Sequence, residues 1–219
     1  MARDKKRMTW YLKQPSSLQS NTRLYNCLNP IVGLTGGIAS GKSTAVKLFS
    51  QMGFKTIDAD KLIKNIYQKK EVLKSIQELF PFVFEQDNIN FTKLREHLFN
   101  NPRSLKKVEN ILYPFLQEEF HRNLPPLLPN EVIIYEIPLL FEKQLQKKFD
   151  DTILVYIPKD LQIDRLTKRT PLSIDQAEKI LNQQMDIELK KDLTMNIIHN
   201  NLDANYLKNE IDNIIAKLF

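Results

Sequence analysis

Ile31-Val32-Gly33-Leu34-Thr35-Gly36-Gly37-Ile38-Ala39-Ser40-Gly41-Lys42-Ser43-Thr44 holds four of the chain's five glycines. An apolar run leads in, and a helix-favouring run, Ala45-Val46-Lys47-Leu48-Phe49, leads out. Gly36, Gly41, Lys42 and Ser43 satisfy every fixed position of G-x-x-x-x-G-K-[ST], the signature of a loop that cradles phosphates between a strand and a helix. Glycine allows the backbone to turn with positive φ, so that successive N–H groups converge on an anion. The helix beginning near Lys42 adds the positive end of its dipole. In that setting Lys42 is placed to reach the β and γ phosphates, and the Ser43 hydroxyl to ligate Mg²⁺. A plain Gly-rich turn is the alternative, but it requires neither Lys-Ser nor so many glycines in a chain this poor in them.

Beyond the loop, Phe54-Lys55-Thr56-Ile57 reads as a short strand after Gly53 ends the loop's helix. It delivers Asp58-Ala59-Asp60 to the start of a helix through Leu62, Ile63, Ile66 and Tyr67. One Asp there serves as a cap in the plain reading. Two carboxylates at a strand's C-terminal end also stand where α/β folds place their ligands. Residues 71–123 read as helices, with apolar stripes through Val72, Leu73, Ile76, Leu79 and Phe80, then Leu94, Leu98 and Phe99, then Leu105, Val108, Ile111 and Leu112. Thr92 is the expected cap of the middle one, and Asn101-Pro102 opens the last. No strand of core length is expected in this helical insertion.

Val132-Ile133-Ile134-Tyr135-Glu136-Ile137-Pro138 and Thr152-Ile153-Leu154-Val155-Tyr156-Ile157 are almost wholly apolar, as strands buried on both faces are. Glu136 is either a water-mediated Mg²⁺ acid or a cap or surface partner for the next helix. Gln162, Arg165 and Arg169 share one face of the helix after the second of these strands. With Lys168 they form either a mobile basic segment that closes over phosphates or a solvated basic face. Ser173 is the expected cap of a helix over 174–190. Met195-Asn196-Ile197-Ile198 is a last strand, Asn200-Asn201 a turn, and Tyr206 to Leu218 a final helix with Leu207, Ile211, Ile214 and Ile215 on one stripe. Strands alternating with helices imply a parallel sheet with helices on both faces.

Whole-chain properties bound the reading. At 219 residues the chain can bury one core with an inserted subdomain. No apolar run reaches the ~18 residues of a membrane helix, so no membrane partner is expected. The lone Cys27 excludes an internal disulfide, fits a cytoplasmic setting and reads as an inert thiol. The net charge of +6 suggests nucleic acid or anionic lipid until it is located. Residues 1–29 carry Arg3, Lys5, Lys6, Arg7, Lys13 and Arg23 against Asp4 alone, so the excess sits in the tail and no nucleic-acid partner is expected. That tail is polar and without period, and reads as a poorly ordered extension.

Taken together, several pieces resemble the dephospho-coenzyme A kinase family. They are Gly33 to Thr44, Gly53, Ile57-Asp58-Ala59-Asp60, Leu94-Arg95 with Phe99, and Ile137-Pro138-Leu139-Leu140-Phe141-Glu142. Gln162, Arg165, Leu166 and Arg169 come next, then Gln184, Ile198 and Asn200. The likeness runs from about residue 31 to the end. It implies a P-loop NTPase fold, α/β/α with a five-stranded parallel sheet, over residues 30–219. The core would be about 30–60 and 130–219, a helical CoA-binding part about 61–129, and a lid about 165–175. The implied reaction moves a phosphoryl group from ATP, with Mg²⁺, to the ribose 3′-hydroxyl of dephospho-CoA, the last step of coenzyme A synthesis, in a chain expected to be monomeric.

The resemblance also implies site roles. Backbone amides over Gly37, Ile38, Ala39, Ser40, Gly41, Lys42 and Ser43 would hold the β-phosphate, with Thr44 on the α-phosphate and Gly36 and Asn200 also at the nucleotide. Lys42 would follow the transferred group, Ser43 would bind the metal, and Asp60 would orient or deprotonate the acceptor hydroxyl. Arg165 and Arg169 would cover the donor phosphates. Asp58, Arg95, Pro138, Leu139, Leu140 and Glu142 would lie on the acceptor side. The family pattern has Arg at Phe91, His-Pro at Tyr113-Pro114 and Ala-Asp at Thr194-Met195, and these departures touch acceptor contacts and a polar contact near the nucleotide. Two rivals share the loop: a small kinase of nucleosides or nucleotides, and a non-catalytic nucleotide-binding protein.

Overall fold

A computed structural model describes residues 8–219. Its centre is a five-stranded, wholly parallel sheet. The strands are β1 (Ile31–Gly36), β2 (Lys55–Asp58), β5 (Ile133–Glu136), β6 (Asp151–Tyr156) and β7 (Asn196–His199). Their order across the sheet is β2-β5-β1-β6-β7. All five fall within a few residues of the stretches read as strands in the sequence. β1 and β5 are buried along their whole lengths, which is why they show no polar alternation. Helices α1 (Lys42–Gln51) and α9 (Ala204–Leu218) cover one face through Ala45, Phe49, Leu207, Ile211 and Ile214, packed on Val32, Leu34, Ile153, Val155 and Ile198. On the other face Leu140 and Phe149 press against Gly33, where a Cβ would lie 2.5 Å from Leu140 Cδ1. Only glycine lets the chain there approach the sheet so closely.

The chain divides into two compact units. One holds the sheet and spans residues up to Asp58 and from Pro125 to Phe219; the other is Ala59–Leu124. The second is helical: α2 (Ala59–Ile66), α3 (Lys70–Leu79), α4 (Phe91–Asn100) and α5 (Pro102–Arg122). A two-residue ribbon, β3 (Phe84–Glu85) against β4 (Asn88–Ile89), is its only sheet among the described residues. Glu119, buried in α5, gathers this unit. Its Oε1 accepts from Asn65 Nδ2 of α2 and from Asn123 Nδ2, both at 2.9 Å, and its Oε2 accepts from Arg122 at 3.1 Å. Burial alone would raise this carboxyl's pKa, but the hydrogen bonds and the Arg122 charge hold it below the usual value.

The tail departs from expectation. Arg3, Asp4, Lys5, Lys6 and Arg7 lie outside the described residues, but residues 8–29 dock on the core. Trp10 stacks on Phe54 at 4.7 Å and donates its indole N–H to Met52 O at 2.9 Å. Val132 N donates to Trp10 O, and Lys13 N donates to Leu218 O, both at 2.9 Å. Arg23 Nε lies 2.9 Å from both oxygens of Asp150, whose side chain is fully buried. Each anchor joins one tail residue to a distant partner, and no local periodicity records that.

Two smaller expectations change. Asn90, not Thr92, caps α4, accepting from Lys93 N at 3.0 Å. Asn is at least as good a cap as Thr and stands in register with the helix start. The helix expected over 174–190 is broken into α7 (Ile174–Leu181) and α8 (Ile187–Lys191). Ser173 does cap the first, in a reciprocal box with Gln176. Asp186 starts the second by accepting from Glu188 N. The chain between them is drawn aside by Gln184, which bonds to Ile38, and by Met185, which bonds to Glu142.

Candidate active site

The glycine-rich loop joins β1 to α1 at the C-terminal end of the sheet. Gly41 caps α1 with φ +90°, a conformation that strains any residue with a Cβ. A Cβ there would also lie 2.2 Å from Asn200 Nδ2. Ala39 adopts φ +57° despite its side chain. The turn is held from outside. Asn200 Nδ2 donates to Ser40 O at 2.8 Å, and Gln184 Oε1 accepts from Ile38 N at 3.0 Å. Lys42 Nζ lies against the loop's own carbonyls, donating to Gly36 O at 3.1 Å and Gly37 O at 2.9 Å. The ammonium is thus stationed at the phosphate cradle by the residues that form it.

Ser43 and Thr44 occupy the exposed first turn of α1. Ser43 Oγ donates to Glu136 Oε1 at 3.3 Å. Glu136 is the last residue of β5, buried, and in register with Asp58 at the end of β2. Parallel register therefore sets two carboxylates side by side at the strand ends, one bonded to the loop's serine. A hydroxyl with neighbouring carboxylates is a hard-oxygen set of the kind Mg²⁺ takes, usually together with substrate phosphates and water. Glu136, open between two readings in the sequence, is aimed at Ser43. Asp60 stands two residues beyond Asp58, exposed in the first turn of α2 at the opening of the helical unit. Arg95 is exposed on α4 of that unit.

Arg165 and Arg169 lie on α6 (Lys159–Arg169), Arg165 half-buried and Arg169 exposed. Arg165 donates to Asn200 O at 2.7 Å, which brings it to the residue that grips Ser40. Leu166, Ala177 and Leu181 join α6 to α7, and Ile38 and Ala39 of the loop pack against them. Gln162 is buried beside Gly37, where a Cβ would lie 2.0 Å from its Nε2.

The segment after β5 separates the residues expected on the acceptor side. Pro138 O accepts from Thr35 Oγ1 at 3.2 Å, and Leu139 is exposed. Leu140 is fully buried on Gly33, so it is a core residue and not a contact surface; the sheet needs an apolar cover where β1 has no side chain. Glu142 Oε1 accepts from Met185 N at 3.1 Å and lies 2.7 Å from Nζ of the fully buried Lys190. Lys190 had no sequence signal, sitting in an ordinary charged run. The departing residues Phe91, Tyr113 and Met195 are all exposed, and Phe91 meets Tyr67 edge-on at 5.2 Å. Cys27 is buried, and burial pushes its thiol pKa up, in keeping with an inert role.

Comparison with known proteins gives a consistent answer. The family model described as dephospho-CoA kinase matches residues 30–205. The dephospho-CoA kinase of Fusobacterium nucleatum is 35% identical over 184 residues, 83% of this chain and 95% of that protein. That of Bartonella quintana is 33% identical over 190 residues, 86% of this chain and 97% of that protein. A Thermus thermophilus protein of known crystal structure superposes with a TM-score of 0.77 at 28% identity, covering 88% of this chain and all of that one. The dephospho-CoA kinase of Campylobacter jejuni gives 0.57 at 28% identity, covering 87% and 98%. With its phosphate loop, paired strand-end carboxylates and parallel sheet, the chain belongs to the dephospho-CoA kinase family.

Proposed function

We propose that the protein transfers the γ-phosphoryl group of ATP to the ribose 3′-hydroxyl of dephospho-CoA, releasing coenzyme A and ADP. The observation that carries this is the conjunction of the Lys42 ammonium on the loop carbonyls with Ser43 bonded to Glu136 beside Asp58, in a chain of this family. Phosphoryl transfer needs alignment and charge neutralisation more than covalent chemistry. The loop amides from Gly37 to Ser43 bind the β-phosphate, and Thr44 reaches the α-phosphate. Lys42 leaves the Gly36 and Gly37 carbonyls for the phosphates and follows the transferred group.

Ser43, with Glu136 and Asp58 beside it, would hold Mg²⁺ directly or through water, and the ion would supply neutralisation of phosphate charge. Asp60 accepts the acceptor hydroxyl's proton or fixes its direction. Arg165 and Arg169 cover the donor phosphates, and α6 and α7 form the lid that excludes water. Arg95, Pro138 and Leu139 lie on the acceptor side, with residues 59–124 as the acceptor-binding part. In this reading the protein acts in the cytoplasm as a monomer. No helix among the described residues is long and apolar enough to cross a membrane.

The test is product formation by the purified protein with MgATP. Dephospho-CoA should give coenzyme A with a 3′-phosphate, while nucleosides and nucleoside monophosphates should release ADP at least about 100-fold more slowly per unit kcat/KM, the discrimination expected when binding groups are left unpaired. Preference for a nucleoside acceptor would overturn the assignment.

A further inference from the structure

The residues between the lid and the last strand form a strut. Gln184 accepts from Ile38 N in the phosphate loop. Ile187 is buried, with its Cδ1 3.4 Å from the position a Gly37 Cβ would take. Glu188 Oε1 accepts from Tyr156 OH of β6 at 2.5 Å, so α8 is tied to the sheet. From the same helix Lys190, without solvent exposure, reaches Glu142 in the turn after β5.

We propose that Lys190 and Glu142 are positioning residues for the transfer, their ion pair, fully buried at Lys190 and largely buried at Glu142, fastening the turn at 138–142 to the strut that grips the phosphate loop. This rests on the reading of that turn as acceptor-facing. A buried ion pair adds little stability compared with apolar residues of similar size, because desolvation offsets attraction. What it adds is direction. Glu142 Oε1 accepts from Met185 N at 3.1 Å and faces the Lys190 ammonium at 2.7 Å as an ion pair, so one carboxylate oxygen ties the turn to two residues of the strut. Glu142 Oε2 and Lys190 Nζ are both buried without a hydrogen bond, so the pair is not optimised for stability alone. The strut has its own ties to the sheet and loop, so losing the pair frees the turn and leaves the loop in place.

The test uses the full chain with Glu142→Gln, Lys190→Met and the double variant, the last leaving no unpaired charge if a single variant folds poorly. Amide hydrogen exchange is followed at Lys143 and Gln144, which donate to Leu139 O and Phe141 O in the turn, and at Ile38. In the double variant the turn amides should exchange at least tenfold faster, while Ile38 and the β6 amides keep wild-type rates. kcat/KM for dephospho-CoA should fall at least tenfold while the Kd for MgATP stays within threefold. The double variant should lose no more than the worse single one, as expected of two residues acting as a unit. Wild-type exchange in the turn, or full kcat/KM with only a lowered Tm, overturns the proposal. If the wild-type protein makes no coenzyme A, it is the acceptor reading that fails, and the exchange rates still decide whether the pair fixes the turn.

Discussion

Arg23→Ala should destabilise the fold severely although Arg23 lies in a tail with no sequence sign of structure. Arg23 Nε sits 2.9 Å from each oxygen of Asp150, and the two side chains are 9% and 0% exposed. The same carboxylate accepts from Ile31 N at 2.7 Å, where β1 begins, and from the Ser16 hydroxyl. Removing the guanidinium leaves a buried carboxylate without its cation, a change that costs about 3–5 kcal/mol in other buried pairs. For a domain of this size each kcal/mol moves Tm by roughly 2–4 °C, so a fall of about 6–20 °C is expected. Arg23→Ala/Asp150→Asn should recover part of the loss, since the second change removes the stranded charge. Calorimetry or circular dichroism melting reads the effect. At a temperature where the variant stays folded, kcat should be unchanged, because the pair lies at the N-terminal ends of the strands and the phosphate loop at their C-terminal ends. A Tm within about 2 °C of wild type would refute the inference that the tail is part of the core.

Further outcomes are expected at the site and in the helical unit. Gly41→Ala should abolish measurable MgATP binding in calorimetry, because φ +90° and an Asn200 amide 2.2 Å from the new Cβ forbid the loop's turn. Lys42→Ala should lower kcat by roughly 10²-fold or more by removing charge stabilisation of the transition state. Asp60→Asn should lower kcat with MgATP affinity nearly unchanged, and normal turnover by that variant would remove Asp60 from its role. For Glu119, a folded-state pKa held below the ordinary 4.5 means its stabilisation is present above that pH and is lost as pH falls through the folded value. Urea unfolding between pH 5 and 3 should therefore show a shallower acid loss in Glu119→Gln than in wild type, and Glu119→Ala should cost roughly 1–3 kcal/mol at neutral pH through the lost hydrogen bonds to a charged acceptor.

Much of the molecule was legible because its signals are local. A strand buried on both faces announces itself as an apolar run, so β1, β5 and β6 stand out even at six residues or fewer. The apolar stripe of α5 behind Pro102 and the Ser173 cap of α7 were equally plain, though not where α7 ends. Other features left no local trace. Nothing near Gln184 marks a helix break, because the chain departs there to satisfy Ile38 N, 146 residues away in sequence. Leu140 reads as one more apolar residue of a motif, and only its fit on Gly33 shows that it is core. The docking of residues 8–29 leaves no local trace for the same reason: Trp10 and Arg23 are single anchors whose partners are Phe54 and Asp150.

By itself the sequence determined the phosphate cradle, since positive φ at Gly41 and a following Lys-Ser are properties of the residues themselves. It also determined the order of strands and helices, because hydrophobic period is a property of neighbours along the chain. Tertiary structure alone decided that Glu136 turns toward Ser43 beside Asp58, that Asn200 holds Ser40, and that a buried Lys190 meets Glu142. Those depend on strand register and on side chains brought together across the fold, distances that no stretch of sequence contains.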